Sequence, residues 1–332
     1  MVVLVTGGAG YIGSEVVRSL VAEGFKPVVL DNLSTGFKES LPKQVPFVAG
    51  DIRDIAAVRQ IFSMYKIHIV IHLAAKIVVE ESLRQPLDYY DHNVGGLRTV
   101  LQVCREFSVD KFIFSSSGTI YGNSNLKLTQ KNSEDDQLSP LSPYGYSKLI
   151  GEQMVKDMSA AYGLNFISLR YFNVGGAAVD GSNGQLRVNP THIIHVASQA
   201  ALSEKKEVTI FGDDYDTADG TCIRDYIHVS DIADIHVQAI KYLTQQSQSH
   251  ILNCGYGKGY SVKEVVETFK KVNQVNLQVK YGPRRMGDPA ILVSDTSRLQ
   301  SLFKWQPKYD ELGLICQTAY LWQAKVLNRN LF

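Results

Sequence analysis

The sequence predicts an α/β fold with a doubly wound parallel sheet, and three features lead to this prediction. Short apolar, β-rich runs alternate with segments of helical periodicity through the first half of the chain. A glycine-rich turn follows the first run and opens the first helical segment, and an acidic residue ends the second run. Strand–helix–strand units of this kind form right-handed crossovers, so the parallel sheet is covered by helices on both faces.

The individual elements follow from composition and period. The predicted strands share a short length and a content of β-branched and aromatic residues. They are residues 2–5, 27–30, 47–49, 69–73, 111–115 and 166–171. The helical segments between them repeat apolar residues with the period of an α-helix. They are residues 12–23, 55–65, 86–107 and 144–162.

The length and texture of the chain predict two lobes. At 332 residues it exceeds the usual size of one domain. We expect a dinucleotide-binding Rossmann domain over residues 1–175, rejoined by about residues 225–255, where a helical segment precedes another strand. A stretch rich in Gly, Ser and Asn marks the exit from the sheet. Residues 176–224 and 256–332 are then expected to form a smaller, mixed α/β lobe.

Composition and charge exclude several classes of function. A net charge of +1, with 45% hydrophobic and 20% charged residues, is ordinary for a water-soluble protein and predicts no nucleic-acid partner. The apolar runs are well short of the roughly 18 residues of a membrane helix, and the N-terminus lacks the basic start of a signal peptide. The four cysteines are scattered without metal-ligand spacing. We therefore expect a cytoplasmic protein with no metal, nucleic-acid or membrane partner.

The glycine-rich turn is typical of a dinucleotide site. Gly7, Gly10 and Gly13 follow the first strand and open the first helix, where backbone N–H groups favour a pyrophosphate. Asp31 ends the second strand, 18 residues after Gly13, and its carboxylate can accept hydrogen bonds from ribose hydroxyls. A carboxylate would repel a 2′-phosphate, and Asn32 supplies no cation to hold one. The sequence therefore predicts NAD in preference to NADP.

A second constellation points to acid–base chemistry. Tyr144 and Lys148 are one helical turn apart, so the phenol and the ammonium would share a face at roughly 5–6 Å between Cβ atoms. A nearby cation favours the phenolate, so Lys148 would lower the pKa of Tyr144 and make it a usable base. Ser117 offers a hydroxyl near a predicted strand end, where three other hydroxyl residues lie within two positions of it. The choice among these hydroxyls stays open.

Motifs along the whole chain resemble a known superfamily. Those of the first half are similar to the extended short-chain dehydrogenase/reductase superfamily. They are residues 7–13 (GGAGYIG), 50–54 (GDIRD), 72–75 (HLAA), 115–117 (SSS) and 144–148 (YGYSK). Those of the second half resemble the UDP-glucose 4-epimerase family within it. They are residues 170–176 (RYFNVGG), 210–215 (IFGDDY), 224–229 (RDYIHV) and 283–288 (PRRMGD).

The resemblance implies an enzyme with tightly held NAD that takes hydride from C4 of a UDP-sugar and returns it to the opposite face of a 4-keto intermediate. Tyr144 would act as base on O4, and Ser117 would orient O4. Lys148 would also hold the nicotinamide ribose. The resemblance further implies that the second lobe binds the UDP-sugar. A homodimer is the implied assembly, through residues 86–107 and 144–162.

The same resemblance implies the contacts of each ligand. The cofactor contacts come from the glycine turn, the strand ends and the helix around residue 93. They are Gly7, Gly10, Tyr11, Ile12, Gly13, Asp31, Asn32, Asp51, Ile52, Leu73, Ala74, Ala75, His92, Asn93, Tyr144, Lys148, Tyr171 and Phe172. The substrate contacts lie mostly in the second half. They are Ser117, Tyr144, Asn173, His192, Phe211, Arg224, Arg285, Asp288 and Leu292.

Two features of this chain bear on its sugar specificity and on the length of one loop. Leu292 would gate the sugar pocket, and its size lies between the small residues that admit an N-acetyl group and the aromatic residue that excludes it. The sequence therefore favours UDP-glucose and UDP-galactose over UDP-N-acetyl sugars. The spacing from Ser117 to Tyr144 is slightly longer than in the family, and we expect the extra residues in the loop around residues 125–136.

Three alternatives stay open. A 4-epimerase of another nucleotide sugar, such as a UDP-pentose or a UDP-N-acetylhexosamine, would share these motifs. A nucleotide-sugar 4,6-dehydratase would need an acidic pair beside the catalytic hydroxyl, whereas Gly118 and Thr119 follow Ser117 here. A non-catalytic NAD-sensing regulator would have no need for Tyr144 together with Lys148.

Overall fold

The computed structural model describes residues 1–122, 130–186 and 190–328. Its strands are β1 Val2–Thr6, β2 Lys26–Asp31, β3 Phe47–Ala49, β4 Ile69–His72, β5 Lys111–Ser117, β6 Asn165–Tyr171, β7 Asn173–Gly175, β8 Glu207–Phe211, β9 Ile223–His228, β10 His250–Cys254, β11 Gly259–Ser261, β12 Gln278–Gly282 and β13 Ile291–Leu292. Its helices are α1 Tyr11–Ala22, α2 Ile55–Met64, α3 Val79–Arg84, α4 Pro86–Tyr90, α5 Gly96–Glu106, α6 Pro143–Tyr162, α7 Ile193–Leu202, α8 Val229–Gln245, α9 Val262–Asn273, α10 Ser297–Phe303 and α11 Leu312–Asn328.

The main sheet has the predicted doubly wound, mostly parallel architecture. Its seven strands lie in the order β10-β6-β5-β4-β1-β2-β3. β1 pairs in parallel with both β2 and β4. The pairs β2–β3 and β4–β5 are parallel as well. The chain thus builds one half of the sheet outwards from β1 and then returns to begin the other half at β4. Ligands of such sheets bind at the carboxyl ends of the strands beside this reversal.

Contacts divide the chain into two compact units. Unit 1 comprises residues 1–120, 140–170 and 233–252, and unit 2 comprises residues 121–139, 171–232 and 253–332. The limits of these units differ from the predicted domain ranges, which remain a prediction. Residues 121–139 belong to unit 2, because Asn132 bridges to Ser294 and Glu134 accepts a hydrogen bond from the Asn253 amide at 2.8 Å. The chain leaves unit 1 after residue 170 and re-enters at residue 233, because β7 and β9 pair with each other in unit 2. Of the loop in which extra residues were expected, residues 125–129 lie outside the described ranges.

One predicted helix is interrupted. Residues 86–107 form α4, a single π-helical turn at Asp91–Gly95, and α5. A π-turn inserts one extra residue into a helix and frequently marks a functional position. Here the turn contains His92 and Asn93, and Asn93 is buried. The 3.6-residue apolar period continues on both sides of the turn, so the pattern alone predicted one helix.

Unit 2 is built around smaller sheets. β9 lies between β11 and β13 and also pairs with β7, while β8 pairs in parallel with β12. Helices α7, α9 and α11 enclose its core, with Ile194, Val266 and Ile315 all buried. In neither unit is any described helix long and apolar enough to cross a membrane.

A buried ion pair fixes helix α6 to strand β6. Glu152 accepts hydrogen bonds from the Arg170 guanidinium at 2.9 and 2.7 Å, and both side chains are 1% exposed. Gly151 permits the close approach of α6 to β5, because a Cβ there would lie 2.4 Å from the ring of Phe114. Glu152 lies two helical turns after Tyr144, so the ion pair also fixes the helix that carries this tyrosine.

Removing the Arg170 guanidinium should destabilise unit 1. In Arg170→Met the Glu152 carboxylate keeps its burial and loses its cation, a change that typically costs about 3–5 kcal/mol. The double variant Glu152→Gln/Arg170→Met removes both charges and should recover much of the loss. Lys241→Met, which breaks an exposed pair with Glu23, is the matched control and should have a much smaller effect. Urea denaturation measures all three, and a harmless single Arg170 variant would contradict the role given to this pair.

Candidate active site

The glycine turn after β1 has the geometry of a pyrophosphate-binding loop. Gly7 has φ +72°, and a Cβ on it would lie 2.6 Å from the Ala74 amide nitrogen. A Cβ on Gly13 would lie 2.1 Å from the Gly7 carbonyl oxygen. Helix α1 begins with Gly10 as its N-cap, and no side chain among the described residues caps it. Its first N–H groups, those of Tyr11 onward, therefore suit an anionic ligand.

Asp31 is placed as predicted at the carboxyl end of β2. It is buried, and its carboxylate accepts hydrogen bonds from the Ala9 amide at 3.0 Å and the Leu33 amide at 2.8 Å. Burial raises the pKa of the Asp31 carboxyl, while these two hydrogen bonds act in the opposite direction. Asp31 thus ties the glycine turn to the strand end, in addition to its predicted contact with a ribose.

Asn32 and Asp51 contact each other beside this strand end. The Asn32 amide donates to the Asp51 carboxylate at 3.1 Å. Arg53 binds the same carboxylate at 3.0 and 2.9 Å and holds the pKa of Asp51 well below its usual range. Arg53 is not among the predicted contacts, although it lies in the same motif. Ile52 turns its side chain into the core of unit 1, so only its backbone can face a ligand.

Asn93 supports the loop after β4. Its side-chain oxygen accepts from the Lys76 amide at 2.8 Å, and its side-chain nitrogen donates to the Lys76 carbonyl at 3.0 Å and to Ser147 at 2.9 Å. These bonds fix the end of the partly exposed segment formed by residues 73–75. Asn93 is therefore a positioning residue for the predicted contacts Leu73, Ala74 and Ala75. His92, the preceding residue, is half-buried.

Tyr144, Ser117 and Lys148 come together at the carboxyl end of β5. The Tyr144 phenol is hydrogen-bonded to Ser117. Ser117 Oγ in turn accepts from the Thr119 hydroxyl at 3.0 Å, so Thr119 supports it. Lys148 Nζ donates to the Ser115 carbonyl at 2.7 Å and lies 5.9 Å from the centre of the Tyr144 ring. Of the candidate hydroxyls, Ser117 is the one in contact with the tyrosine.

Burial sets the protonation states of these groups. Burial raises the pKa of Tyr144 above its usual 10.0, although the hydrogen bond with Ser117 lowers it. Burial also lowers the pKa of Lys148 to about 7. The prediction was that Lys148 lowers the pKa of Tyr144. In the protein without bound cofactor the pKa of Tyr144 is instead raised. A lysine that is partly neutral near pH 7 offers the phenolate less stabilisation than a full ammonium charge would.

In unit 2, Arg224 and Asp288 form a partly satisfied pair. Arg224 is 6% exposed, and its guanidinium donates to the Ile223 carbonyl at 2.8 Å. Its Nη2 atom is 3.5 Å from the Asp288 carboxylate and makes no hydrogen bond to a described residue. Leu292 of β13 stands opposite Arg224 of β9 in register. The predicted gating residue and the predicted phosphate ligand are thus neighbours across one strand pair.

Arg285 and Phe211 also contact each other. The Arg285 guanidinium lies 4.2 Å from the centre of the Phe211 ring, and it reaches the Thr191 carbonyl at 3.4 Å. Phe211 is 36% exposed, so part of its surface remains open to a planar ligand. The arrangement brings an aromatic ring, predicted to lie near uracil, next to a cation predicted to bind phosphate.

His192 and Asn173 meet at Tyr226. The His192 ring lies 5.6 Å from the Tyr226 ring, edge to face, and burial and Arg285 lower the pKa of His192 to about 4. Asn173 pairs with Tyr226 across β7 and β9, and their side chains share a hydrogen bond. Tyr226 is not among the predicted residues, yet it contacts two of them.

Asp225 is a further residue that sequence reasoning missed. Its fully buried carboxylate accepts hydrogen bonds from the amides of Tyr256 and Gly257 at 2.9 Å and of Ser294 at 3.1 Å. Burial raises the pKa of Asp225, and these bonds oppose the rise. The carboxylate clamps β9 to the segments that follow β10 and β13, and so fixes the adjacent Arg224. The available signal was an acidic residue in the middle of a short strand that also contains Arg224 and His228.

The remaining predicted cofactor contacts, Tyr171 and Phe172, are buried at the start of a unit 2 segment. The Phe172 amide donates to the Cys254 carbonyl at 3.1 Å. Across the described ranges, no group of three or more potential ligands is arranged to hold a metal ion.

The glycine turn, Asp31 and the Tyr144–Ser117–Lys148 group define an enzyme of the short-chain dehydrogenase/reductase class. A family model supports this class: residues 3–255 match the NAD dependent epimerase/dehydratase family. The chain belongs to that family, and NAD is its cofactor. The geometry of the glycine turn and the uncapped α1 suits the pyrophosphate of that cofactor.

Individual relatives agree over nearly the whole chain. The UDP-glucose 4-epimerase of Azospirillum brasilense is 45% identical over 98% of this chain and 92% of its own length. The structure of UDP-glucose 4-epimerase from Bifidobacterium longum in complex with NAD+ and UDP has a TM-score of 0.94 at 34% identity, and all of both chains is covered. The UDP-Glc/GlcNAc 4-epimerase from the human pathogen Campylobacter jejuni has a TM-score of 0.83 at 43% identity over 98% of this chain and 99% of its own.

The charge of the cofactor should control the ionisation of Tyr144. Oxidised NAD carries a positive nicotinamide ring and reduced NADH does not, so the pKa of Tyr144 should be lower with NAD than with NADH. An ultraviolet pH titration of each complex, after subtraction of the same complex of Tyr144→Phe, isolates this phenol. Tyr146→Phe, which removes an exposed tyrosine of the same helix, is the control for the subtraction. Identical pKa values in the two complexes would contradict electrostatic activation of Tyr144.

Proposed function

We propose that the protein interconverts UDP-glucose and UDP-galactose with NAD held in unit 1. The observation that carries the proposal is the buried Tyr144 phenol, hydrogen-bonded to Ser117 and one helical turn from Lys148. The similarity to UDP-glucose 4-epimerases over nearly the full length supports the same activity. Unit 2 supplies the cationic and aromatic groups that a UDP moiety requires.

Tyr144 transfers the proton, and Ser117, Thr119 and Lys148 support it. NAD bound in unit 1 would supply the hydride acceptor and donor for the sugar C4. Ser117 orients the sugar O4 by a hydrogen bond, and Thr119 keeps the Ser117 hydroxyl in place through its own donated bond. Tyr144 removes the O4 proton as the C4–H bond breaks, and it returns the proton when that bond re-forms on the opposite face. Lys148 stays anchored on the Ser115 carbonyl and stabilises the phenolate.

The nucleotide is held by unit 2. Arg224 and Arg285 offer guanidinium N–H donors to the diphosphate, as planar guanidinium groups commonly do. Phe211 is exposed enough to lie along the uracil, and Asp288 can accept from the uridine ribose. Asn173 and His192 complete the predicted contacts. These assignments, like those of the cofactor contacts, belong to the proposal.

Tyr144→Phe should abolish turnover and keep the cofactor. The substitution removes the acid–base hydroxyl but keeps the ring that packs in the site, so activity should fall by at least about 100-fold. The assay incubates the purified protein with UDP-galactose without added cofactor and resolves UDP-glucose by chromatography. The wild-type protein should reach an equilibrium mixture, while Tyr146→Phe on the exposed face of α6 should match it. An active Tyr144→Phe variant, or one that loses NAD, would contradict the assigned role.

The size of the sugar is a second part of the proposal. Leu292 is buried in β13 and is larger than the residues that admit an N-acetyl group. We therefore expect a preference for UDP-glucose and UDP-galactose. A relative of similar identity, from Campylobacter jejuni, is a UDP-Glc/GlcNAc enzyme, so epimerisation of UDP-N-acetylglucosamine is the alternative that has a specific observation behind it.

A substrate comparison decides between these specificities. The ratio of kcat/KM for UDP-galactose to that for UDP-N-acetylgalactosamine should exceed about 10, because one wrongly sized group in a pocket typically changes the rate by 10- to 200-fold. Leu292→Gly should lower this ratio by enlarging the pocket, and Leu321→Gly on the exposed side of α11 tests for non-specific effects. Comparable turnover of both sugars by the wild-type protein would overturn the preference.

The assembly and location are also proposed. A cavity of about 770 Å³ lies on unit 1 between α5 and α6, lined by Leu101, Arg105, Met154, Met158 and Tyr162 among others. Arg98, Glu106 and Asp157 also line this face, and the apolar side chains between such charged groups support a homodimer through these helices. Sedimentation at the mass of a single 36.9 kDa chain would contradict it. The four cysteines are buried and not in disulfides, which suits the reducing cytoplasm, the location we propose.

A further inference from the structure

The loop between β8 and β9 buries a tyrosine that the proposed function does not use. Tyr215 is 6% exposed. Its backbone is fixed within the loop, because its amide donates to the Gly220 carbonyl at 2.9 Å and its carbonyl accepts from the Thr217 amide at 2.8 Å. The Tyr215 hydroxyl makes no hydrogen bond to any described residue. A buried hydroxyl without a partner is uncommon and needs an explanation.

The ring of Tyr215 packs closely against two neighbours. One is Gly212, with φ +83°, where a Cβ would lie only 2.4 Å from the tyrosine ring. The other is Arg284, whose guanidinium carbon is 4.3 Å from the ring centre. Arg284 is itself fixed by an ion pair with Asp214 at 2.6 Å. The ring therefore has a defined orientation, and the direction of its hydroxyl is set by the loop.

The surroundings of this hydroxyl are those of the predicted nucleotide contacts. Burial raises the pKa of Tyr215, the nearby Asp288 carboxylate raises it as well, and Arg224 acts in the opposite direction. A phenol with a raised pKa stays protonated at neutral pH and remains a hydrogen-bond donor. Tyr215 thus belongs to the same part of unit 2 as the Arg224–Asp288 pair.

Most of the buried polar atoms in this part of unit 2 that lack a hydrogen bond to described residues are hydrogen-bond donors. The Tyr215 hydroxyl, Arg224 Nη2 and Arg285 Nε are all buried and without a hydrogen bond to described residues. The two arginine groups can only donate, and the hydroxyl can donate as well. Such a set is complementary to a ligand with many acceptor oxygens and negative charge, which is the chemistry of a diphosphate.

We propose that the Tyr215 hydroxyl donates a hydrogen bond to the diphosphate of the bound nucleotide, together with Arg224. The inference rests on the proposed binding of a UDP-sugar and adds a residue to it. Tyr215 is a binding residue in this account and takes no part in proton transfer at the sugar. The Arg284–Asp214 ion pair, which covers its ring, keeps the hydroxyl in position.

The variant Tyr215→Phe separates a ligand contact from a structural role. It removes only a hydroxyl that has no partner in the described protein, so the ligand-free variant should be as stable as the wild type or slightly more stable. Calorimetric titration of the NAD-loaded protein should show that UDP binds about 10-fold more weakly, because a hydrogen bond to a charged group is lost. Uridine, which lacks the diphosphate, should bind both proteins equally, and NAD content should not change.

Tyr281→Phe is the matched control, since it removes an exposed phenol from the neighbouring strand β12. Equal UDP affinity of Tyr215→Phe and wild type would overturn the inference and leave the proposed function intact. A lower melting temperature of the ligand-free variant with parallel losses for uridine and UDP would show a structural tyrosine and would also overturn it. A wild-type protein that binds NAD but not UDP would instead refute the proposed function itself.

Discussion

The burial of the Lys148 side chain is the constraint on which the site of unit 1 depends. The residue is 3% exposed, with its Nζ atom bonded to the Ser115 carbonyl and 5.4 Å from the centre of the Phe114 ring. Desolvation disfavours its charge, which is why its pKa falls to about 7. The fold keeps it there by seating α6 closely on the sheet, through Gly151 and through the Glu152–Arg170 pair. A helix held less firmly would let the amine turn to water, and its fixed distance from the phenol of Tyr144 would be lost.

In unit 2, strand β9 carries two adjacent buried charges that differ in how completely they are hydrogen-bonded. Asp225 is a buried anion whose oxygens are bonded to backbone amides on both sides of β9. Arg224, next to it in sequence, is a buried cation with one nitrogen left without a hydrogen bond to the described residues. The satisfied carboxylate rigidifies the sheet, and the incompletely satisfied guanidinium beside it is the group that we propose binds the nucleotide. Successive residues of a strand face opposite sides, which is why one can be structural and the other can face a binding site.

The sequence was sufficient for features that depend on local chemistry. Apolar runs and periodicity located the strands of the main sheet, and the spacing of Gly7, Gly10 and Gly13 located the cofactor turn. Features that depend on distant contacts could not be read in this way. The inward turn of Asn93 follows from a π-turn that leaves the apolar period intact. The assignment of residues 121–139 to unit 2 follows from pairing with Ser294, far along the chain. That the Tyr215 hydroxyl has no hydrogen bond to a described residue can be seen only when the positions of its neighbours are known.

Both units bury polar groups whose missing hydrogen bonds or charge partners a ligand could supply. The same groups can therefore contribute to both affinity and specificity. Burial keeps the Tyr144 phenol neutral, so a ligand that places positive charge beside it makes it a better base. The buried donors of Arg224 and Arg285 favour a ligand that supplies acceptor oxygens. A ligand without these groups would fill the same volume and leave the donors unpaired, and unpaired buried donors carry a larger penalty than a missing contact. We therefore expect the protein to discriminate among ligands of similar shape by charge and hydrogen-bonding capacity, because these donors are already desolvated before the ligand arrives.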